Sequence, residues 1–267
     1  MISFVATPIG NLKDITLRAL DTLKEADVIF CEDTRHTLKL LNAYEIKKPL
    51  YACHKFNERE AAEKILTFSR EGKNVAIVSD AGMPVISDPG NGVCAILKEA
   101  GEAYTVIPGA SAFLCALVLS ALPADRFTFI GFLPNKTGEK KALLQRYQAH
   151  TETLIFHCAP QDIDKDVMAM YEVFGERNAC AVREITKIHE ESTRFSLSQG
   201  LAGEKRGEYV LLVQGAEEGE SPLNALSPKE HILHYMRAGL DKKEALKRTA
   251  KDRGVPKSEL YPYSVEL

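Results

Sequence analysis

The stretch VAIVSDAGMPVISDPG, Val75 to Gly90, decides how this chain folds and what kind of ligand it takes. Its first four residues are apolar without alternation, the pattern of a strand buried on both faces in a parallel sheet. The remainder is a loop with Asp80, Asp88, Gly82, Gly90, Pro84 and Pro89, and no basic residue. Loops at the carboxyl ends of strands are where open α/β sheets bind ligands. Phosphate-cradling loops offer a lysine or free N–H donors at a helix start. This one offers carboxylates and loses two N–H donors to proline, so it suits a cationic or hydroxyl-bearing ligand better than a phosphate. Two Asx turns bracketing a solvated loop explain the aspartates equally well, although Met83, Val85 and Ile86 suit a pocket wall.

Short apolar runs alternate with amphipathic stretches on either side of this loop. Ile2–Ala6, Val28–Cys31, Thr105–Ile107 and Phe127–Phe132 read as strands, and Thr16–Ala26, Asn57–Arg70, Gly92–Ala100 and Ala112–Leu122 as helices. Asn57 with Glu60 three residues on resembles a capping box. The alternation predicts a mainly parallel sheet covered by helices. After the polar stretch Asn135–Lys141, Thr153–His157, Ala179–Arg183, Thr193–Leu197 and Tyr209–Gln214 read as strands and Asp164–Phe174 as a helix. Glu217–Pro222 reads as an acidic linker. Beyond it, Lys229–Lys257 carries nine Lys/Arg against four Asp/Glu, a local +5 in a chain of net charge −3. Helices over Pro228–Arg237 and Lys242–Arg253, the second N-capped by Asp241, and a short one near Pro256 predict a helix-turn-helix-like tail. The expected division is an N-terminal α/β domain over 1–118, a C-terminal α/β domain over 119–222 and the tail over 223–267.

The chain has 267 residues, 45% hydrophobic and 27% charged, as an ordinary soluble protein has. No apolar stretch approaches the roughly 18 residues of a membrane span, and the first residues lack the pattern of a signal peptide. Six cysteines, none in a C-x-x-C pair, lie mostly beside apolar residues. They fit reduced, packed thiols and a cytoplasmic location. The histidines form no metal-ligand set, so no metal site is expected. The first strand runs into ATPIGNLKDIT, which has neither a dinucleotide fingerprint nor a P-loop. A plain strand-to-helix turn accounts for Pro8–Asn11 on local chemistry. IPGASAF, Ile107 to Phe113, puts small residues at a helix start, for tight packing or for close approach of a ligand to the backbone. CEDTRHT (Cys31–Thr37), CHKFNERE (Cys53–Glu60) and VREITKIHEE (Val182–Glu191) gather polar residues at strand ends, where they either converge on one cleft or meet solvent.

In this order the motifs resemble the ribosomal RNA small subunit methyltransferase I family of the tetrapyrrole methylase superfamily. VATPIGNLKDITLRAL, CEDTRHT, VSDAGMPVISDPG, VIPGASA, FIGFLP, REITKIHEE and the tail GLDKKEALKRTAKDRGVPKSELY carry the resemblance over essentially the whole chain. It implies two α/β domains of tetrapyrrole methylase type with S-adenosylmethionine in the cleft between them, a small C-terminal helical unit and a homodimer. The activity implied is methylation of the ribose 2′-hydroxyl of a cytidine in small-subunit ribosomal RNA, with that RNA as partner. The cofactor residues it implies are Pro8, Ala81, Gly82, Met83, Ile86, Ser111, Ala112, His157, Cys158 and Ile185. Met83 stands where the superfamily commonly has an aspartate, so Asp80 or Asp88 is expected to supply the carboxylate. A ribose hydroxyl is a poor nucleophile and gains from a positioned base. Glu184, Asp33 and His54 are candidates for that base. Lys187 or Arg35 are candidates for placing a phosphate, with His36, Asn57 and Arg183 also facing substrate. The alternatives are a tetrapyrrole or protein methyltransferase of the same fold, and a nucleic-acid-binding protein that senses a small ligand.

Overall fold

The computed structural model describes residues 1–217 and 222–264. The chain packs as two units, Met1–Gly215 and Ala216–Leu267. The larger unit holds two five-stranded sheets.

The first sheet contains β1 (Ile2–Val5), β2 (Val28–Cys31), β3 (Leu50–Ala52), β4 (Val75–Val78) and β5 (Tyr104–Ile107), in the order β3-β2-β4-β1-β5, all parallel. Its central strands are buried at every position because helices cover both faces. On one face α3 (Glu58–Arg70) and α4 (Asn91–Glu99) bury Ile65 and Leu97 against Phe4, Phe30 and Ile77. On the other, α1 (Leu17–Glu25) and α2 (Thr34–Ala43) bury Leu23 and Leu41 against Val5, Ile29 and Val78. The chain therefore leaves β1 towards one face and β4 towards the other, and the loops after these neighbouring strands part to open a crevice.

The second sheet contains β6 (Phe127–Phe132), β7 (Thr153–Cys158), β8 (Asn178–Arg183), β9 (Glu191–Ser196) and β10 (Tyr209–Val213), in the order β6-β7-β10-β8-β9. Only β6 and β7 run parallel; β10 inserts antiparallel to both β7 and β8. The mainly parallel sheet expected from the alternation up to Phe132 is the first sheet, except that Phe127–Phe132 belongs to the second. The helices α6 (Thr137–Tyr147) and α7 (Ile163–Phe174) cover one face through Leu144, Val167 and Met170. The other face is covered by α5 (Ala112–Ser120), whose Ala116 and Leu117 pack on Ile155, Val182 and Leu212. Residue 118, the expected first division, lies within α5. The polar stretch Asn135–Lys141 proves to contain the start of α6. The capping box expected at Asn57 is absent: its Oδ1 accepts from His54 N (2.7 Å) and its amide donates to Ala52 O (3.0 Å).

In the smaller unit, α8 (Pro228–Arg237), α9 (Lys242–Asp252) and α10 (Lys257–Ser264) enclose Ile232, Leu246, Ala250 and Leu260. Ser227 and Glu230 form a capping box on α8, and Asp241 caps α9 through Glu244 N. Most of the acidic linker expected over Glu217–Pro222 lies outside the described residues. No helix among the described residues is long and apolar enough to cross a membrane.

Candidate active site

A cavity of about 350 Å³ opens at the carboxyl ends of β4, β5, β6 and β7, beside the amino end of β10. The loop after β4 supplies Ala81, Gly82, Met83, Ile86, Ser87 and Asp88, and the start of α5 supplies Ser111 and Ala112. Opposite them stand His157, Cys158, Ile185, Glu208 and Tyr209.

The β4 loop is strained and firmly held. Val85 and Ser87 adopt φ of 79° and 66°, left-handed values that a β-branched residue rarely takes. Strain of this kind persists only where the surroundings over-determine the backbone. Here Thr7 and Gly82 exchange backbone hydrogen bonds (Thr7 N to Gly82 O 2.9 Å, Gly82 N to Thr7 O 3.1 Å), and Ser79 Oγ donates to Gly82 O at 3.1 Å. At the far end, Glu58 accepts from Gly90 N (2.7 Å) and Gly92 N (2.6 Å), closing the amino end of α4 with a carboxylate. Burial, and then the neighbouring carboxylates Glu32 and Asp80, push Asp88 up to about 6.

On the opposite wall, the His157 ring meets Phe129 and Phe132 edge-on, 5.1 and 5.2 Å between centroids. Burial lowers its pKa, so it is neutral, and its buried Nε2 has no hydrogen-bond partner among the described residues. Cys158 Sγ donates to Asp166 Oδ2 at 3.1 Å, and Asp166 pairs with the Lys140 ammonium. Burial first, then the bond to Asp166, raise the thiol's pKa and keep it protonated.

Beside this wall, Glu184 and Thr186 again have positive φ, 49° and 67°. Glu184 Oε1 accepts from Glu208 N and Lys187 Nζ, each at 2.9 Å, and Lys187 also reaches Glu208 Oε2 at 2.9 Å. The Glu208 N–H is the main cause that holds Glu184 below the usual carboxylate range, with Lys187 adding to it.

Of the expected cofactor residues, Ala81, Gly82, Met83, Ile86, Ser111, Ala112, His157, Cys158 and Ile185 line the cavity. Pro8 and Asp80 do not; Ile9 lines it in place of Pro8, and Asp80 Oδ1 accepts from Asp33 N at 3.1 Å. Asp88, the other carboxylate considered, is on the wall. Glu184 and Lys187 stand behind Ile185 and Glu208 without lining the cavity. Asp33 caps α2 and is drawn down to about 2 by hydrogen bonds from the side chain and backbone of Arg35. Arg35 and His36 are exposed, while His54 is half-buried with Nδ1 unpartnered among the described residues. Arg183 lies on the other side of its sheet, bordering a second cavity of about 320 Å³ and paired with Glu191 at 2.7 Å. Sequence reasoning missed Glu208, Tyr209 and Val210. They reach the wall because β10 runs antiparallel, which sets Tyr209 opposite Cys158.

Residues 1–200 match the family model described as Tetrapyrrole (Corrin/Porphyrin) Methylases. The chain belongs to the tetrapyrrole methylase family. It is 43% identical to the ribosomal RNA small subunit methyltransferase I of Bacillus subtilis (strain 168), over 98% of this chain and 92% of that relative. Identity to the protein of the same name from Escherichia coli O157:H7 is 39%, over 98% and 93%. Another so named, from Thermotoga maritima, is 41% identical over 80% of this chain and 97% of its own length. Among solved structures, diphthine synthase superposes with a TM-score of 0.65 at 14% identity, covering 80% of this chain and 89% of that one. The uroporphyrin-III C-methyl transferase of Thermus thermophilus complexed with S-adenyl homocysteine gives 0.56 at 18%, covering 79% and 96%. At such identities these two establish the fold: two α/β domains of tetrapyrrole methylase type.

Proposed function

We propose that the chain transfers a methyl group from S-adenosylmethionine to the ribose 2′-hydroxyl of a cytidine in small-subunit ribosomal RNA. The observation that carries this reading is the charge of the cavity wall. Asp88 and Glu208 are acidic, and no lysine or arginine among the described residues lines it. Such a wall suits a ligand with a sulfonium, an ammonium and hydroxyls but no phosphate, and the names of the relatives agree. The residues present also fit the cofactor. His157 Nε2 is a buried, unpartnered atom on the wall, and the volume is within the range of small-ligand sites.

Asp88, with the backbone of Ala81–Met83 and the side chains of Ile86, Ser111 and Ala112, would hold the methionyl side. His157, Cys158 and Ile185 would hold the adenosyl side. Pro8 and Asp80 support the wall from behind. When bound, S-adenosylmethionine supplies a methyl group activated by a positively charged sulfur, so the chain's task is alignment. We assign the proton to the Glu184–Lys187–Glu208 cluster through Glu208, the member on the cavity wall, whose carboxylate Lys187 holds at 2.9 Å and whose backbone N–H donates to Glu184 at 2.9 Å. Glu184, a weak base at its lowered pKa and off the wall, acts by positioning Glu208 and Lys187. Asp33, His54, Arg35, His36 and Asn57 are assigned to the RNA, Asp33 and Asn57 by shaping their loops. Arg183 faces away from the cavity and enters only as neighbouring surface.

RNA binding by an acidic chain needs local cations. In the smaller unit, α9 exposes Lys243, Lys247 and Arg248 on the side away from its buried residues. A homodimer is supported by the apolar side chains left exposed on α5 (Leu114, Val118) and on the edge strand β5 (Tyr104, Val106). We place the protein in the cytoplasm, where ribosomal RNA is found, and keep the three-part division with its first boundary moved ahead of α5, which packs on the second sheet. Equilibrium dialysis with labelled S-adenosylmethionine, then transfer to small subunits lacking the modification, tests the reading. Absence of binding, or label that never enters RNA, refutes it.

A further inference from the structure

We infer that Phe56 is a stacking platform for an unpaired base of the RNA substrate; this rests on the RNA methyltransferase reading above. Phe56 is 84% exposed, on the loop between β3 and α3. A ring this exposed offers a free aromatic face on which a planar group can stack. Mobility does not account for the exposure, because the loop is fixed on both sides of the ring. Cys53 N donates to Cys31 O (2.7 Å), His54 N to Asn57 Oδ1 (2.7 Å), Asn57 N to His54 O (2.9 Å) and the Asn57 amide to Ala52 O (3.0 Å).

The surroundings point to a nucleic-acid base more than to an apolar protein face. In sequence Phe56 stands among His54, Lys55, Asn57, Glu58 and Arg59. Lys55 Nζ lies 4.9 Å from its ring centroid, and the His54 ring lies 6.2 Å away at 63°. An exposed ring with a lysine beside it suits single-stranded RNA: the ring stacks on a base and the cation meets the backbone. The loop is also tied to the cavity. Glu58, two residues on, holds Gly90 and Gly92 at the end of the loop that carries Met83, Ile86 and Asp88 on the cavity wall. Glu58 thus links the loop that carries Phe56 to the loop that lines the cavity.

The chain contains no tryptophan, so Phe56→Trp introduces the sole indole. Its fluorescence is expected to be quenched by a single-stranded oligocytidine RNA and by small ribosomal subunits, with methyl transfer retained. Phe56→Ala is expected to raise KM for RNA roughly tenfold, the lower part of the range for one lost base stack. Its kcat, its affinity for S-adenosylhomocysteine and its melting temperature should match wild type, and Phe56→Trp should restore KM. An unchanged KM in Phe56→Ala overturns the inference, as does an unquenched indole in an active Phe56→Trp enzyme. Quenching by subunits but not by naked RNA assigns Phe56 to a protein partner and also overturns it. If wild type methylates no RNA, the functional reading fails first and the inference falls with it.

Discussion

Lys187 lies across Gly10 so closely that a Cβ on the glycine would sit 2.6 Å from Lys187 Cγ and Cε. The side chain that joins Glu184 to Glu208 thus packs against the loop after β1. With φ at 151°, Gly10 is moreover in a conformation unfavourable to other residues. Gly10→Ala should displace Lys187 from both carboxylates at a cost of about 1–3 kcal/mol. Methyl transfer should fall more than tenfold, while Lys187→Ala alone costs less stability. Chemical denaturation and steady-state kinetics on the two variants check this.

Glu58 is a helix cap contributed from a different helix. Removing it as Glu58→Ala leaves the Gly90 and Gly92 donors unmet and should cost about 1–2 kcal/mol. Because the same bonds anchor the strained β4 loop, cofactor affinity should fall too. Calorimetric titration with S-adenosylhomocysteine would show this, and unchanged affinity would separate the cap from the site.

Lys140 and Asp166 are each only 6% exposed, and Asp166 also receives the Cys158 thiol. Asp166→Ala leaves a buried ammonium without its counter-charge and should destabilise by about 3–5 kcal/mol. The double variant Lys140→Met/Asp166→Leu should be less damaging, since a buried pair gains little over apolar side chains of similar size. Thiol labelling gives a second readout: buried Cys158 should react only on unfolding.

Asp88 predicts a pH dependence of cofactor binding. Its folded pKa, about 6, lies above the unfolded value of roughly 3.9, so the stability it contributes is present at low pH. That stability is lost as pH rises from about 4 through 6, where the unfolded chain ionises first. Binding has the opposite sign: a cationic ligand prefers the ionised carboxylate, so affinity should rise with pH through about 6. Asp88→Asn should flatten both curves. Melting temperatures and titrations between pH 4.5 and 8, set at roughly half-unit steps around the shifted pKa, check the two slopes.

What the sequence made legible follows from where the signals are local. Val28–Cys31 and Val75–Val78 are uniformly apolar because both their faces are covered, so their ends could be read to the residue. The helix α2 was missed because it buries only Thr37 and Leu41, with Arg35, His36 and Lys39 exposed around them. The insertion of β10 between β7 and β8 is a matter of long-range pairing, and nothing in Tyr209–Val213 announces it; Glu208 and Tyr209 were missed for that reason. Ile9 replaces Pro8 on the wall because the bridge between Thr7 and Gly82 sets which neighbouring residue turns inward. Local pattern cannot fix that one-residue choice.

The central claim is methyl transfer to a ribose in small-subunit ribosomal RNA. Small subunits lacking the modification should be incubated with the full chain and methyl-labelled S-adenosylmethionine, and their RNA then hydrolysed in alkali. A 2′-O-methyl group blocks cleavage at its own nucleotide, so the account predicts label in an alkali-resistant dinucleotide beginning with cytidine. Label in mononucleotides, label that appears only on an added porphyrinogen, or no label on subunits or naked RNA would contradict it.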